Sequence, residues 1–199
     1  NGDYNTSVNS SFSCCTLEIN SGFVLNIEDS NYVKVVNEII NNGTLNVKNK
    51  GSLIQVNDLD ANVGTISYER IASIRLLDYV FWSSPIKDFN VDAISPLTPS
   101  DKIFKWEPLV VNPNGAQGFW VNTSSEIMPS GVGYIVRGPS DFTTVAQDFT
   151  AVFANGAPNN GAIKVPISRG SYTGLDYTGT NGTVITRFDD NWNLIGNPY

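Results

Sequence analysis

The stretch LNI at residues 25–27 recurs as LNV at residues 45–47, and YVKV at residues 32–35 recurs more loosely as SLIQ at residues 52–55. Each copy joins short alternating apolar segments with turn residues such as the Asn-Asn-Gly at 41–43. A single copy cannot bury its own apolar face, so successive copies must stack on one another. A repeat of about 20 residues therefore predicts a parallel β-helix.

The alternation also predicts which side chains face the interior, because neighbouring strand residues point to opposite faces. The predicted interior set is Cys15, Leu17, Ile19, Phe23, Leu25, Ile27, Val33, Val35, Leu45, Val47 and Leu53. Asn26 and Asn46 occupy equivalent places one repeat apart, which predicts a hydrogen-bonded ladder of side chains rather than a ligand site. The adjacent Cys14 and Cys15 are predicted to be two free thiols, because a bond between them would be strained.

The sequence pattern changes at Gly64. Short apolar runs alternate from there with clusters of Pro, Gly, Ser and Asn, which is typical of an antiparallel sandwich or jelly roll. The predicted fold class is therefore all-β, with a short parallel β-helix segment over residues 1–63 followed by a β-sandwich or jelly-roll-like domain over residues 64–199. We expect further rungs upstream of the first part, and the sequence leaves the C-terminal end of the second part open. Residues 68–77 fit either a helix or a long strand that leaves the β-helix.

Composition excludes several classes of function. The 199 residues carry a net charge of −7 and contain no histidine, and only 16% of them are charged. Nucleic-acid binding is disfavoured because it needs clustered Lys and Arg, and no apolar run is long enough for a transmembrane segment. The absence of histidine excludes Ser-His-Asp and Cys-His catalysis and histidine-bound metals.

Carboxylates are the remaining candidates for catalysis, since a pair of them can hydrolyse a glycosidic bond. Glu107, Glu126, Asp176 and the pair at residues 189–190 are available, but their spacing singles out no pair. We therefore predict no catalytic residue, no cofactor and no enzymatic activity.

A weak calcium candidate occurs where the repeat fails. Asp58, Asp60 and Asn62 offer oxygen ligands at alternate positions, and Glu69 falls at the twelfth position of the loop. Val63 stands where an EF-hand has its turn glycine, and the flanks read as strands rather than helices. An Asx-rich turn with a backbone role is the alternative interpretation.

Tryptophan supplies the candidates for ligand binding. Trp106 and Trp120 are the predicted binding residues. If one tryptophan is exposed, we expect it to be Trp106, because Lys105 and Glu107 flank it. Exposed indole rings on a sheet face would suit glycans, whose C–H faces stack on flat rings. Burial in the core is the alternative for each tryptophan.

Four motifs in the second half carry a resemblance to a known family. They are YVFWSSP at residues 79–85, GYIVRGP at 133–139, GAPNNG at 156–161 and NLIGNPY at 193–199. In this order and spacing they resemble a module of very large secreted surface proteins of Bacteroidota, especially flavobacteria. The resemblance implies export by the type IX secretion system and display on, or release from, the cell surface.

Two functions follow as expectations. The first is a structural or adhesin-like surface module whose partners are neighbouring domains of the same long chain and other surface or secretion proteins. The second is a carbohydrate-binding module of a secreted polysaccharide-degrading enzyme. Two or more exposed, coplanar aromatic rings would favour the second function.

Overall fold

The computed structural model describes residues 2–112, 117–170, 174–179, 181–186 and 192–199. Its first part is a parallel β-helix of short strands joined by tight corners. The strands are β1 (Tyr4–Asn5), β2 (Phe12–Cys14), β3 (Leu17–Ile19), β4 (Val24–Ile27), β5 (Tyr32–Val35), β6 (Ile39–Asn41), β7 (Thr44–Val47) and β8 (Ser52–Gln55). A single helical turn, Thr6–Asn9, lies between β1 and β2.

Successive rungs of the β-helix place equivalent strands directly above one another. The sheets run in the orders β1-β4-β7, β2-β5-β8 and β3-β6, and every pairing within them is parallel. Leu25 pairs with Leu45 and Val33 with Leu53. This register confirms the predicted β-helix and its repeat.

Most of the predicted interior is confirmed. Leu17, Ile19, Leu25, Ile27, Val33, Val35, Leu45 and Val47 are buried, and Leu53 packs against them while partly exposed. The prediction is wrong for Cys15, which is exposed, and for Phe23, which is 37% exposed. The chain bends between β2 and β3 and turns at Gly22 before β4, so the alternation restarts at each corner. Cys14 instead packs partly against the core, and both thiols are free.

Polar side chains at the corners bind the backbone of the next rung. Each accepts a hydrogen bond of 2.8–3.1 Å from a backbone N–H between 21 and 22 residues further along the chain. The pairs are Asp3 with Val24, Thr6 with Glu28, Ser11 with Tyr32, Asp29 with Lys50 and Asn49 with Ile71. The Asn46 amide also donates to the Asn26 side-chain oxygen at 2.9 Å, which confirms the predicted ladder. Short polar residues thus satisfy backbone groups where the strands are interrupted.

The second part begins with β9 (Ile66–Ile74), so the segment at residues 68–77 starts as a strand. The start of β9 pairs in parallel with β7, and its length pairs antiparallel with β14 (Gln147–Gly156). The strands β10 (Tyr79–Trp82), β11 (Ile103–Val111), β12 (Gln117–Asn122) and β13 (Tyr134–Arg137) form an antiparallel sheet in the order β10-β13-β11-β12. Two 3₁₀ turns, Val91–Ile94 and Ser100–Lys102, and a small pair, β15 (Tyr177–Thr178) with β16 (Val184–Ile185), complete the described elements.

One hydrophobic core runs through both parts. Ile27 and Val47 of the β-helix belong to the same cluster of buried side chains as Ile86, Tyr134 and Phe153 of the antiparallel part. The shared strand β9 provides the continuity, because it closes the last rung and opens the antiparallel pairing. The all-β fold with a parallel β-helix followed by antiparallel sheet is therefore confirmed.

Candidate functional site

The four-stranded sheet presents an aromatic face to solvent. The pairings Phe81 with Ile135, Ile135 with Phe104, and Trp106 with Trp120 put these side chains on one side of the sheet. The residues of this outer aromatic face are Tyr79 and Phe81 on β10, Ile135 on β13, Phe104 and Trp106 on β11, and Trp120 on β12. Tyr134 and Val136 point the other way and are buried. Phe81, on the edge strand β10, is 65% exposed.

Trp106 and Trp120 form a cross-strand pair with a defined geometry. Their ring centroids lie 5.3 Å apart and their planes meet at 73°. Gly118 makes this arrangement possible, because a Cβ at its position would lie 2.3 Å from Cζ2 of the Trp106 ring. Its φ of +91° is also a backbone conformation that favours glycine. Trp106 is therefore half-buried against the β12 backbone rather than the exposed ring that its charged flanks predict.

The segment at residues 192–195 crosses the outer aromatic face. The Trp106 indole N–H donates to the Trp192 backbone oxygen at 2.8 Å. Leu194 lies over Gly133 of the sheet, where a Cβ would come within 2.6 Å of the leucine Cγ. These contacts fix the backbone of the segment and leave the Trp192 ring 69% exposed.

A cavity of about 230 Å³ opens where this segment meets the sheet. Its lining consists of Phe81, Trp106, Trp120, Trp192, Asn193 and Leu194, and this aromatic cavity is walled almost wholly by carbon. The Asn193 amide already has both of its groups engaged, since it accepts from the Ser168 N–H and donates to the Ser168 oxygen, each at 2.9 Å. An apolar pocket with few polar groups is the usual form of a small-ligand site.

A charged network stabilises the opposite face of the same sheet. The Lys105 Nζ lies 2.8 Å from Glu126 and 3.1 Å from Glu107, and the buried Tyr134 hydroxyl donates to Glu126 at 3.1 Å. Thr123 also donates to Glu126. Two of the carboxylates considered for catalysis are thus paired with one lysine, and the pair at residues 189–190 lies outside the described residues.

This network makes the stability of the fold depend on pH. Burial raises the pKa of Glu126, but the hydrogen bonds from Lys105 and Thr123 outweigh it and hold the pKa below its ordinary value of 4.5. The folded protein therefore binds this proton more weakly than the unfolded chain, so the stabilisation is present above pH 4.5 and is lost as the pH falls below it. We expect Glu126→Gln to lose less free energy of unfolding than the wild type between neutral pH and about pH 3, measured by urea titration.

Lys105→Met provides a second, independent test of the same network. Removing the cation should raise the pKa of Glu126 and flatten the pH dependence in the same way. An unchanged pH dependence in both variants would show that other groups control acid unfolding.

Two of the four calcium candidates, Asn62 and Glu69, have other side-chain partners. Asn62 accepts from the Ile39 N–H at 3.0 Å and exchanges hydrogen bonds with Gln55. Glu69 pairs with Lys48 on the neighbouring rung. Asp58 and Asp60 lie in the loop after β8, and the Asp60 backbone oxygen accepts from Asn160. Across the described parts of the chain, no three or more Asp, Glu or Cys side chains are grouped to hold a metal ion.

The cavity is lined partly by residues that the sequence predicted as binding residues and partly by residues that it did not. Trp106 and Trp120 are brought together as neighbours, which their sequence separation alone does not require. Phe81, Trp192 and Leu194 were missed as members of a site, because nothing local shows that residues 192–195 cross the sheet. The alternation in β10 carries a signal for Phe81, since the neighbouring Trp82 packs inward against Phe149 and Phe153.

The fold and the aromatic cavity define an all-β module with an exposed aromatic site. A family model described as a domain of unknown function, DUF8693, matches residues 2–199. The match covers nearly the whole chain, so the chain belongs to this family. Searches among curated proteins and among solved structures found no match. Among the described residues, no helix is long and apolar enough to cross a membrane.

Proposed function

We propose that the chain is a non-catalytic extracellular surface module, a structural or adhesin-like part of a larger secreted protein. The outer aromatic face carries the proposal, because a solvent-exposed apolar sheet face marks a surface that contacts a partner. Phe81 on this face is 65% exposed, and the ring of Trp192 on the segment that crosses the face is 69% exposed. The β-helix contributes a stiff spacer, since each rung is bonded to the next by backbone and corner side chains.

Export by the type IX secretion system and a source in Bacteroidota form part of the same proposal, and the resemblance of the four sequence motifs supports them. The partners are then neighbouring domains of the same long chain and other surface or secretion proteins. The low charge and the many Asn, Ser and Thr residues agree with an extracellular module. The acidic balance gives no support to a nucleic-acid partner.

Surface labelling tests this proposal on the native protein. Antibodies against residues 2–199 should stain intact cells of the source organism or detect the chain in its medium. Brief protease treatment of intact cells should remove the staining, while a cytoplasmic marker enzyme stays protected. Retention of the chain with the cytoplasmic marker would contradict the proposal.

A carbohydrate-binding module is the second candidate, and the exposed rings of Trp192 and Phe81 favour it. A glycan array tests it, with Trp192→Ala expected to abolish any signal. The 73° angle between Trp106 and Trp120 gives it less support, because a flat sugar chain stacks best on coplanar rings.

A further inference from the structure

The aromatic cavity is lined mainly by ring surfaces, and the Trp106 N–H and the Asn193 amide in its wall already have hydrogen-bond partners. Four aromatic side chains line it, and two of them, Trp106 and Trp120, stand nearly perpendicular. The Trp106 N–H is held by the Trp192 backbone oxygen, and both groups of the Asn193 amide are held by Ser168. A ligand rich in hydroxyls would lose water there without gaining bonds from these groups, which is unfavourable.

The charge around the cavity favours a cation. The chain carries a net charge of −7, and among the described residues neither Lys nor Arg lines the cavity. Lys105 is the sequence neighbour of Trp106, but its strand position faces the other side of the sheet, where Glu107 and Glu126 hold it. Arg137 lies on the same face of the sheet, opposite Tyr79 and two residues beyond Ile135 on β13, and it does not line the cavity. Within the described lining, a positive ligand therefore meets ring faces and no cationic side chain.

We propose that the aromatic cavity binds a trimethylammonium group such as the one choline carries. This assignment rests on the proposed role of the outer aromatic face as a binding surface. Aromatic faces attract such a cation through the negative face of each ring, and indole does so most strongly. A methylated ammonium has no N–H to donate, so it needs no acceptor in the cavity wall. Its compact shape suits a cavity of about 230 Å³.

Calorimetric titration with choline and with 3,3-dimethylbutan-1-ol tests the assignment on the full chain. The alcohol has the same shape as choline but carries carbon in place of the charged nitrogen. We expect choline to bind at least about tenfold more tightly than the alcohol, because only the cation gains from the ring faces. Equal binding of both would overturn the proposal in favour of a plain apolar pocket. Binding of neither choline nor phosphatidylcholine vesicles would overturn it outright.

Variants of exposed rings locate the site without threatening the core. Trp192→Ala and Phe81→Ala should each weaken choline binding by roughly tenfold, and Trp192→Phe should retain part of it. Trp192→Ala keeps the backbone oxygen that holds Trp106. Tyr32→Ala is the matched control, because Tyr32 is 45% exposed on the β-helix, away from the cavity. An equal effect of Tyr32→Ala would overturn the assignment to this cavity.

Two further probes identify the source of the group and the main competing ligand. Vesicles of phosphatidylcholine, with phosphatidylglycerol vesicles as reference, separate a lipid headgroup from soluble choline, and binding of either form supports the site. Binding of neutral oligosaccharides in place of choline, lost in Trp192→Ala, would overturn the proposal in favour of carbohydrate. Surface labelling of cells does not depend on choline, so failure here leaves the proposed surface location to be judged separately.

Discussion

Gly64→Ala should destabilise the protein by about 3–5 kcal/mol, the largest effect expected from adding a single methyl group. Gly64 has a φ of +86°, and a Cβ there would lie 1.9 Å from the Asn41 backbone oxygen. The clash involves backbone on both sides, so no side chain can rotate away. Asn41 is itself buried, and its amide donates to the Thr65 oxygen where the β-helix passes into β9. The measurement is the free energy of unfolding from urea titration.

Gly22→Ala is the matched control for that substitution. Gly22 has a similar φ of +85°, but nothing lies within 4 Å of its added Cβ. It should therefore cost only the backbone strain, about 1 kcal/mol. If the two variants are equally stable, the close packing of Gly64 against Asn41 does not hold in solution.

Phe153→Ala should cost about 3–5 kcal/mol of unfolding free energy, because it empties the centre of the antiparallel part. Phe153 is 1% exposed, its ring lies 4.9 Å from that of Phe89 and 6.1 Å from that of Trp82. Since Trp82 is next to Phe81 on β10, loss of this support should also loosen the strand that carries one wall of the aromatic cavity. Urea titration measures the stability, and choline titration at low temperature measures the cavity.

Val152→Ala is the control, because it changes a residue of strand β14 that lies outside the core. Val152 adjoins Phe153 but points outward and is 42% exposed, so the loss should stay below about 1 kcal/mol. Equal losses for the two variants would mean that β14 contributes through its backbone pairing with β9 rather than through the core.

The β-helix could be predicted from the sequence because residues at equivalent positions of the repeat are direct neighbours in the stacked rungs. Leu25 and Leu45 are equivalent in the repeat, and in the structure they are direct partners. The predictions failed at Cys15 and Phe23, where corners interrupt the alternation. Period-two alternation predicts which face of the sheet a side chain occupies only within an uninterrupted strand.

The candidate site was predicted only in part. Trp106 and Trp120 were singled out by residue type, and the structure makes them neighbours across β11 and β12. The calcium candidates came from spacing alone, and the partners of Asn62 and Glu69 come from neighbouring rungs. Spacing along a loop does not reveal hydrogen bonds from residues that are near only in the fold.

The all-β class, the stacked repeat and most of the rung interior could be predicted from the sequence, because each follows from alternation and from residues one repeat apart. That Phe81, Trp106, Trp120 and Trp192 share one cavity is visible only in the folded chain. These rings come from three strands and a crossing segment, whose order in the sheet is not encoded locally. Two close approaches accompany this arrangement: the missing Cβ of Gly118 leaves room for the Trp106 ring of the paired strand, and that of Gly133 leaves room for Leu194 of the crossing segment.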